Sequence, residues 1–474
     1  MTIDNYFVPL ANIKAQEIEL STFDLAVYGI IVGDIYFYKN EQKDASFMPF
    51  GALAQSFCML VADHYPVIVG RPTVNSAGKG VMAVDPSNLC LPDIAEVFID
   101  HPIELFLETR PSGSEDKPNL LFFNTRKFHR DSGVDCLPQV TYKSDHSAAI
   151  VRVLRFKNSP YVGISFASSH MLYDGIGLYA FMNHWAEYMR NLNAIRNGTY
   201  QLAEPPINNR QVMTNCLDKV EPLELPFIKH FKEILPPMQM PFPTNIAPVL
   251  LSSPDMPLIQ DQHVLHFSPA NLERMRQHID KDQTVNTVLA AFLARNILLA
   301  NINVFGTEPK TSYVMMAYDG RTRSAIPRNF SGNVSSTAIA PLPSQMVLTS
   351  SYRDLARAIK EHCSKTEIGH TKAAMLVIEN ELSLLYQIGL ALCNTPMTSY
   401  IGMTNLRYMP FDSVDFGFGQ PVFLGLDYFQ KQGISRLLPN KQDGGVDLYL
   451  NYMDANFKVF CQLDEVKMLA DVIY

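Results

Sequence analysis

Apolar positions along the chain recur at helical spacing in some stretches and gather into β-rich blocks in others. Leu53, Phe57, Leu60 and Val61 repeat every three or four residues, and the run ends just before Pro66, so a helix is predicted over 49–65. Residues 149–156 and 161–167 are rich in Val, Ile and aromatics. Lys157-Asn158-Ser159-Pro160 separates them, which predicts a β-hairpin. After Gly175 the period changes: Leu178, Phe181, Met182, Trp185 and Met189 describe one face of an amphipathic helix running to about Arg196. In the second half, Ser268 followed by Pro269 is an N-cap with proline at the first helical position, opening a helix over 270–279. A second helix, rich in Ala and Leu, is predicted over 284–301, and residues 351–392 are mostly helical. Strands are predicted over 312–318, 399–404 and 446–453. Strands alternate with helices in both halves, which is an α/β, mixed, class.

Between the halves the pattern lapses. Eleven prolines fall within residues 205–257, a density that excludes continuous helix or central strand. We therefore divide the chain into an N-terminal domain, residues 1–204, a proline-rich crossover, 205–260, and a C-terminal domain, 261–474. The length of 474 residues exceeds what one core ordinarily organises, which agrees with two domains.

Composition narrows the class without naming a chemistry. Apolar residues make up 47% and charged residues 18%, a globular balance. A net charge of −8 supplies no global field for nucleic acid or anionic membrane. The seven cysteines are dispersed with no Cys-x-x-Cys pair, which predicts reduced thiols and a cytoplasmic location. Residues 1–14 lack a basic segment followed by an apolar run, so no signal peptide is predicted. The apolar stretch 288–300, interrupted by Arg295 and Asn296, is too short to span a bilayer, so no membrane insertion is expected. The histidines, His129, His146 and His184 among them, show no ligand spacing, and no metal site is predicted.

The first candidate for chemistry is His170-Met171-Leu172-Tyr173-Asp174-Gly175, at the end of an apolar strand and before a helix. A strand end holds the backbone while leaving the imidazole accessible. Histidine titrates near neutral pH and can take the proton of an alcohol as a bond forms. Asp174 could orient the ring, pair with an arginine, or cap the following helix, in which case His170 would be a half-buried strand-end residue. Asp415-Phe416-Gly417-Phe418-Gly419 reads as a tight structural turn, since the loops that accompany Asp-Phe-Gly in kinases are absent. Asp319-Gly320-Arg321-Thr322-Arg323 offers Arg321 or Arg323 as the partner that a buried Asp174 or Asp415 needs.

These elements in this order resemble the BAHD acyl-CoA-dependent acyltransferases of plants and fungi. That family carries His-x-x-x-Asp-Gly near mid-chain and Asp-Phe-Gly-Trp-Gly near the C-terminus, and the likeness to fungal members is expected to be closer. Leu20-Ser21-Thr22-Phe23-Asp24, His64-Tyr65-Pro66 through Gly70-Arg71, Pro138-Gln139-Val140, and Phe330-Ser331-Gly332-Asn333 look like further family segments. The resemblance covers most of the chain. It implies two similar domains of the chloramphenicol-acetyltransferase type with a channel between them. His170 would be the general base, Asp174 would turn away from ligand to pair with Arg321, and Gly175, Asp415 and Gly417 would support the site structurally. The co-substrate implied is acyl-CoA, with no permanently bound cofactor, and the acceptor a hydroxylated small molecule of secondary metabolism. Transfer would be direct, in a ternary complex, by a monomer.

Two departures stand out. Phe418 replaces the family's tryptophan, and Thr404-Asn405-Leu406 stands where plant members often have Thr-Ser-Trp. Leu406 has no side-chain N–H, so an oxyanion donor there must be Thr404, Asn405 or backbone. Thr284 and Thr287, opening a helix, resemble a segment that approaches CoA. The acyl group, acetyl among the candidates, is left open, as is N- against O-acylation. A condensation-type amide-forming domain is an alternative, although Ser169 stands where that class typically has a second histidine. A catalytically silent binding protein on the same fold is the alternative from another class.

Overall fold

The computed structural model describes residues 5–27, 31–109, 120–134, 147–213, 262–279, 281–324, 326–364, 400–426 and 433–474. Pro138-Gln139-Val140, most of the 205–260 crossover and the predicted helix beyond residue 364 lie outside them.

The first half contains strands β1 (Gln16–Glu19), β2 (Ile31–Lys39), β3 (Arg71–Val74), β4 (Gly80–Val84), β5 (Asp93–Ile99), β6 (Leu107–Thr109), β7 (Leu121–Phe123), β8 (Ala149–Phe156) and β9 (Tyr161–Ser169). Its helices include α1 (Thr22–Ala26), α2 (Phe50–His64), α3 (Thr125–Ser132) and α4 (Gly175–Arg190). The second half contains β10 (Gln262–Phe267), β11 (Thr311–Asp319), β12 (Ser335–Pro343), β13 (Tyr400–Asn405), β14 (Phe423–Leu426), β15 (Ile434–Pro439), β16 (Val446–Asn451) and β17 (Asp471–Val472). Helices α5 (Pro269–Ile279), α6 (Val285–Phe305), α7 (Tyr352–Ser364) and α8 (Asp454–Phe460) accompany them.

Two large sheets organise these elements. The first has the order β14-β2-β9-β8-β5, and the second β12-β11-β13-β15-β16-β10-β17. In the first sheet β8 and β9 pair antiparallel, Val151 opposite Phe166 and Val153 opposite Ile164. Those four side chains pack with Phe57 and Val61 of α2 and Phe181 and Trp185 of α4. The other face is also covered, Ile35, Phe37 and Leu154 meeting Phe106, Phe123 and Phe128. A sheet buried on both sides can hold a strand end rigidly.

The amphipathic run after Gly175 breaks earlier than the apolar period suggested. The first helix stops at Arg190, and a separate short one, Leu192–Arg196, follows. Helix α6 differs more from expectation. It spans 21 residues, long and apolar enough to cross a membrane, not the shorter stretch read from the sequence. Its apolar side chains are nonetheless buried: Leu289, Phe292, Leu293 and Leu298 lie against Val314, Met403, Leu437 and Leu448 of the second sheet. Arg295 is accommodated at its edge, donating from Nε to the Val347 carbonyl at 2.8 Å.

The opposite face of that sheet turns to the first half. Val264, Leu438 and Tyr449 belong to the same apolar cluster as Tyr36, Tyr38 and Phe166. The halves also exchange a strand. β14, from the second half, pairs antiparallel with β2, Leu424 opposite Tyr36, and forms the edge of the first sheet.

Candidate active site

Strand β9 ends at Ser169, and the backbone turns through His170 to Asp174, the N-cap of α4. The Asp174 carboxylate accepts the Gly177 N–H at 2.9 Å, satisfying one of the free donors of that helix end. Gly177 is required by packing: a Cβ there would sit 2.5 Å from the Ser331 carbonyl oxygen. The turn is thus pressed against residues 330–334 of the second half.

Across that contact lies a buried ion pair. Arg321 Nη1 donates to Asp174 Oδ2 at 2.7 Å and Nη2 to Oδ1 at 3.0 Å, a two-pronged arrangement. Both side chains are 1% exposed, so the pair is cut off from water. Every remaining valence is used. Arg321 also donates to the carbonyls of Phe330 and Gly332 and to Asp319, and Asp174 accepts the Val334 N–H at 2.9 Å. Burial alone would raise the Asp174 carboxyl; the Arg321 charge and the hydrogen bonds from Arg321, Gly177 and Val334 outweigh it and hold the group below its ordinary range. The described hydrogen bonds of Asp174 thus go to Arg321, Gly177 and Val334, none to His170, and they brace the turn. The Arg323 side chain lies outside the described residues.

His170 itself is half-buried. Its Nδ1 lies 3.1 Å from Asn333 Oδ1. The orientation of Asn333 is set by its amide nitrogen, which donates to the His170 carbonyl at 2.9 Å, to that of Met171 at 3.1 Å and to Asp24 Oδ1 at 2.9 Å. A flipped amide would set its oxygen against three acceptors. Asn333 Oδ1 can only accept, so His170 Nδ1 must carry the proton, and Nε2 is left with a lone pair. Asn333 lies in the Phe330-Ser331-Gly332-Asn333 segment, where the sequence by itself assigns it no role. No local pattern could have shown it, because 163 residues separate it from His170.

Among the described residues no cation pairs with the Asp415 carboxylate, and the loop is organised by backbone donors. Oδ1 accepts three backbone N–H groups, from Gly417 at 2.7 Å, Phe418 at 3.1 Å and Gly419 at 3.0 Å. Those donors replace the arginine that the sequence suggested as one option. Gly417 and Gly419 have φ of 95° and 96°, which L side chains rarely adopt. Arg190 donates to the Asp415 carbonyl instead. Phe416 packs edge-on against Trp185 and Tyr38, and Phe418 against Phe47, so the loop is fastened to the first half just before β14.

At the end of β13, Thr404 lies between Ala317 of β11 and Arg436 of β15. Asn405 Oδ1 accepts from Arg407 N and Nε at 3.2 and 3.1 Å, so the side-chain oxygen serves its own loop. Leu406 packs near Gly175, its Cδ2 3.6 Å from where a Cβ would stand, and its N–H is taken by the Leu437 carbonyl at 2.9 Å. Thr284 is the N-cap of α6, its hydroxyl accepting the Thr287 N–H at 3.2 Å and lying 3.0 Å from the Thr287 hydroxyl. Capping accounts for both threonines, and none of their described hydrogen bonds reaches the His170 turn. Among the described residues, no three His, Cys, Asp or Glu side chains cluster as metal ligands.

A model of the Transferase family matches residues 123–466. Hydroxycinnamoyl-CoA:5-hydroxyanthranilate N-hydroxycinnamoyltransferase HHT4 of Avena sativa is 22% identical, over 98% of this chain and 97% of its own length. The crystal structure of vinorine synthase superposes with a TM-score of 0.67 at 16% identity, covering 98% of this chain and 95% of that one. TRI101 of F. graminearum complexed with ethyl coenzyme A gives 0.66 at 13% identity, covering 97% and 100%. At such identities these structures speak for the fold, two chloramphenicol-acetyltransferase-like domains.

Proposed function

The chain belongs to the Transferase family, the BAHD acyltransferases, and from that premise we propose that it moves an acyl group from acyl-CoA to the hydroxyl of a small-molecule metabolite, with His170 as general base. The observation that carries this reading is the Asn333 contact, which leaves His170 Nε2 as the proton acceptor. TRI101, of the same fold, binds ethyl coenzyme A, which supports CoA thioester as co-substrate.

The steps follow from that lone pair. Nε2 takes the acceptor proton as the oxygen attacks the thioester carbon, and the ring becomes an imidazolium whose Nδ1–H still donates to Asn333. The tetrahedral oxyanion collapses, the C–S bond breaks, and the leaving thiolate recovers the proton from Nε2. Both substrates are present together, and no acyl-enzyme forms. The Thr404 hydroxyl and the Asn405 amide nitrogen are the groups we assign to the oxyanion, since the Leu406 N–H is already bonded to Leu437. An amine acceptor is the second reading, supported by the N-acylating relative of Avena sativa.

The test is thiol release with a panel of acyl-CoAs, acetyl and hydroxycinnamoyl included, against hydroxylated and amino acceptors. His170→Ala lowers turnover by about 10²- to 10⁴-fold, with an unchanged melting temperature. Wild-type turnover in that variant would remove His170 from the chemistry, and product analysis separates ester from amide.

A further inference from the structure

We propose that Asp24, in the N-terminal Leu20-Ser21-Thr22-Phe23-Asp24 segment, is a positioning residue for the reaction. Through the Asn333 amide it holds His170 in the tautomer with a free Nε2. The proposal rests on the reading of His170 as the base.

Asp24 is 0% exposed, although it belongs to a helix of only 5 residues. Its carboxylate divides its work between its two oxygens. Oδ2 accepts Ser21 N at 2.9 Å, Ser21 Oγ at 2.8 Å and Arg210 Nε at 3.1 Å. Among the described residues Oδ1 accepts from Asn333 alone, N at 3.1 Å and Nδ2 at 2.9 Å. Capping α1 needs only the Ser21 side. Burying a charge and its arginine for so short a helix would be a poor exchange, because desolvation of both ions outweighs one cap.

The Oδ1 side gives that buried charge a purpose. Asn333 has two planar orientations, and only one presents its oxygen to His170. The carbonyls of His170 and Met171 favour that orientation as neutral acceptors. Asp24 adds a charged acceptor on the same nitrogen, and reversal would place two oxygens face to face. With the reversed amide, Asn333 would donate to Nδ1, the ring proton would move to Nε2, and the base would be lost.

Arg210 completes the arrangement. Its side chain is 2% exposed, neutralises Asp24, and donates from Nη2 to the Leu172 carbonyl at 3.2 Å. Asn333 holds the carbonyls of His170 and Met171, and Arg210 holds the next one. Because Arg210 offsets the charge, the influence of Asp24 on His170 is one of orientation. It is relayed across a sequence separation of 309 residues between Asp24 and Asn333.

The test compares wild type, Asp24→Asn, and the double variant Asp24→Asn/Arg210→Met, which leaves no unpaired buried charge. Ring-¹⁵N-histidine spectra are recorded, with His170 assigned from the signal missing in His170→Ala. Wild type should show the proton on Nδ1; both variants should show a mixture of tautomers or the proton on Nε2. In the same variants kcat falls roughly 10- to 100-fold, the range for one lost charge-assisted hydrogen bond, with KM for acyl-CoA unchanged. A cooperatively melting variant with a wild-type His170 ring spectrum, or with wild-type kcat, overturns the proposal. If His170→Ala itself keeps turnover, the base reading falls, and the ring spectrum still decides whether Asp24 sets the tautomer.

Discussion

Asp174 and Arg321 are both buried and fully bonded, so removing one partner strands the other in a place water does not reach. Breaking such a pair costs about 3–5 kcal/mol, and we expect Asp174→Asn to lower the urea midpoint accordingly, together with turnover. A variant with full stability would show that the pair does not brace the turn. The same pair gives stability a pH dependence. The folded carboxyl is held below its ordinary value, so its contribution is fully present above the unfolded value, about pH 4, and is lost as pH falls through the folded one. Acid unfolding followed by circular dichroism should show this loss in wild type, and Asp174→Asn should show a shallower one. Much of this was legible in the sequence: His170, Asp174 and Gly175 announce a strand end and a helix cap within six residues. Asn333 and Asp24 were not, because their bonds to the turn join chain segments that only the tertiary fold brings together.

At the level of elements, two glycines make different predictions. Gly417 sits at φ 95° with little around it, so Gly417→Ala is strained by backbone conformation alone, by about 1–2 kcal/mol. It should lower the melting temperature and leave KM for acyl-CoA unchanged. Gly177 has an ordinary φ, but its Cβ would meet the Ser331 carbonyl at 2.5 Å, two residues from Asn333. Gly177→Ala should reduce kcat as well as stability, and a purely thermal effect would argue against the coupling of α4 to Asn333. The elements read correctly from the sequence have strong local signals, as with the β8–β9 hairpin and its Lys157–Pro160 break. Those passed over lack them for physical reasons. β2 is buried on both faces along Gly33–Tyr38 and shows no alternation. β12 contains Pro341 and Pro343, tolerated because it is an edge strand.

For the molecule as a whole, the sequence suggested two domains divided near residues 205–260, and strand exchange qualifies what such a division means. Without β14, the mostly buried strand β2 becomes an open edge of the first sheet, a template for aggregation. Residues 1–213 expressed alone should therefore be insoluble, and co-expression with 262–474 should restore soluble protein. A soluble, monomeric first half would show that β14 is dispensable. A different consequence follows from α6, whose apolar surface is covered in the finished protein partly by strands that come much later in the chain, Met403, Leu437 and Leu448 among their side chains. β13 begins at residue 400 and β16 at 446, against 305 for the end of the helix. At ordinary rates of synthesis the ribosome needs about 5–20 s to make each hundred residues. Through that interval the nascent chain carries a long apolar segment whose later partner strands have not yet been made, and productive folding depends on the order in which the remaining sheet emerges.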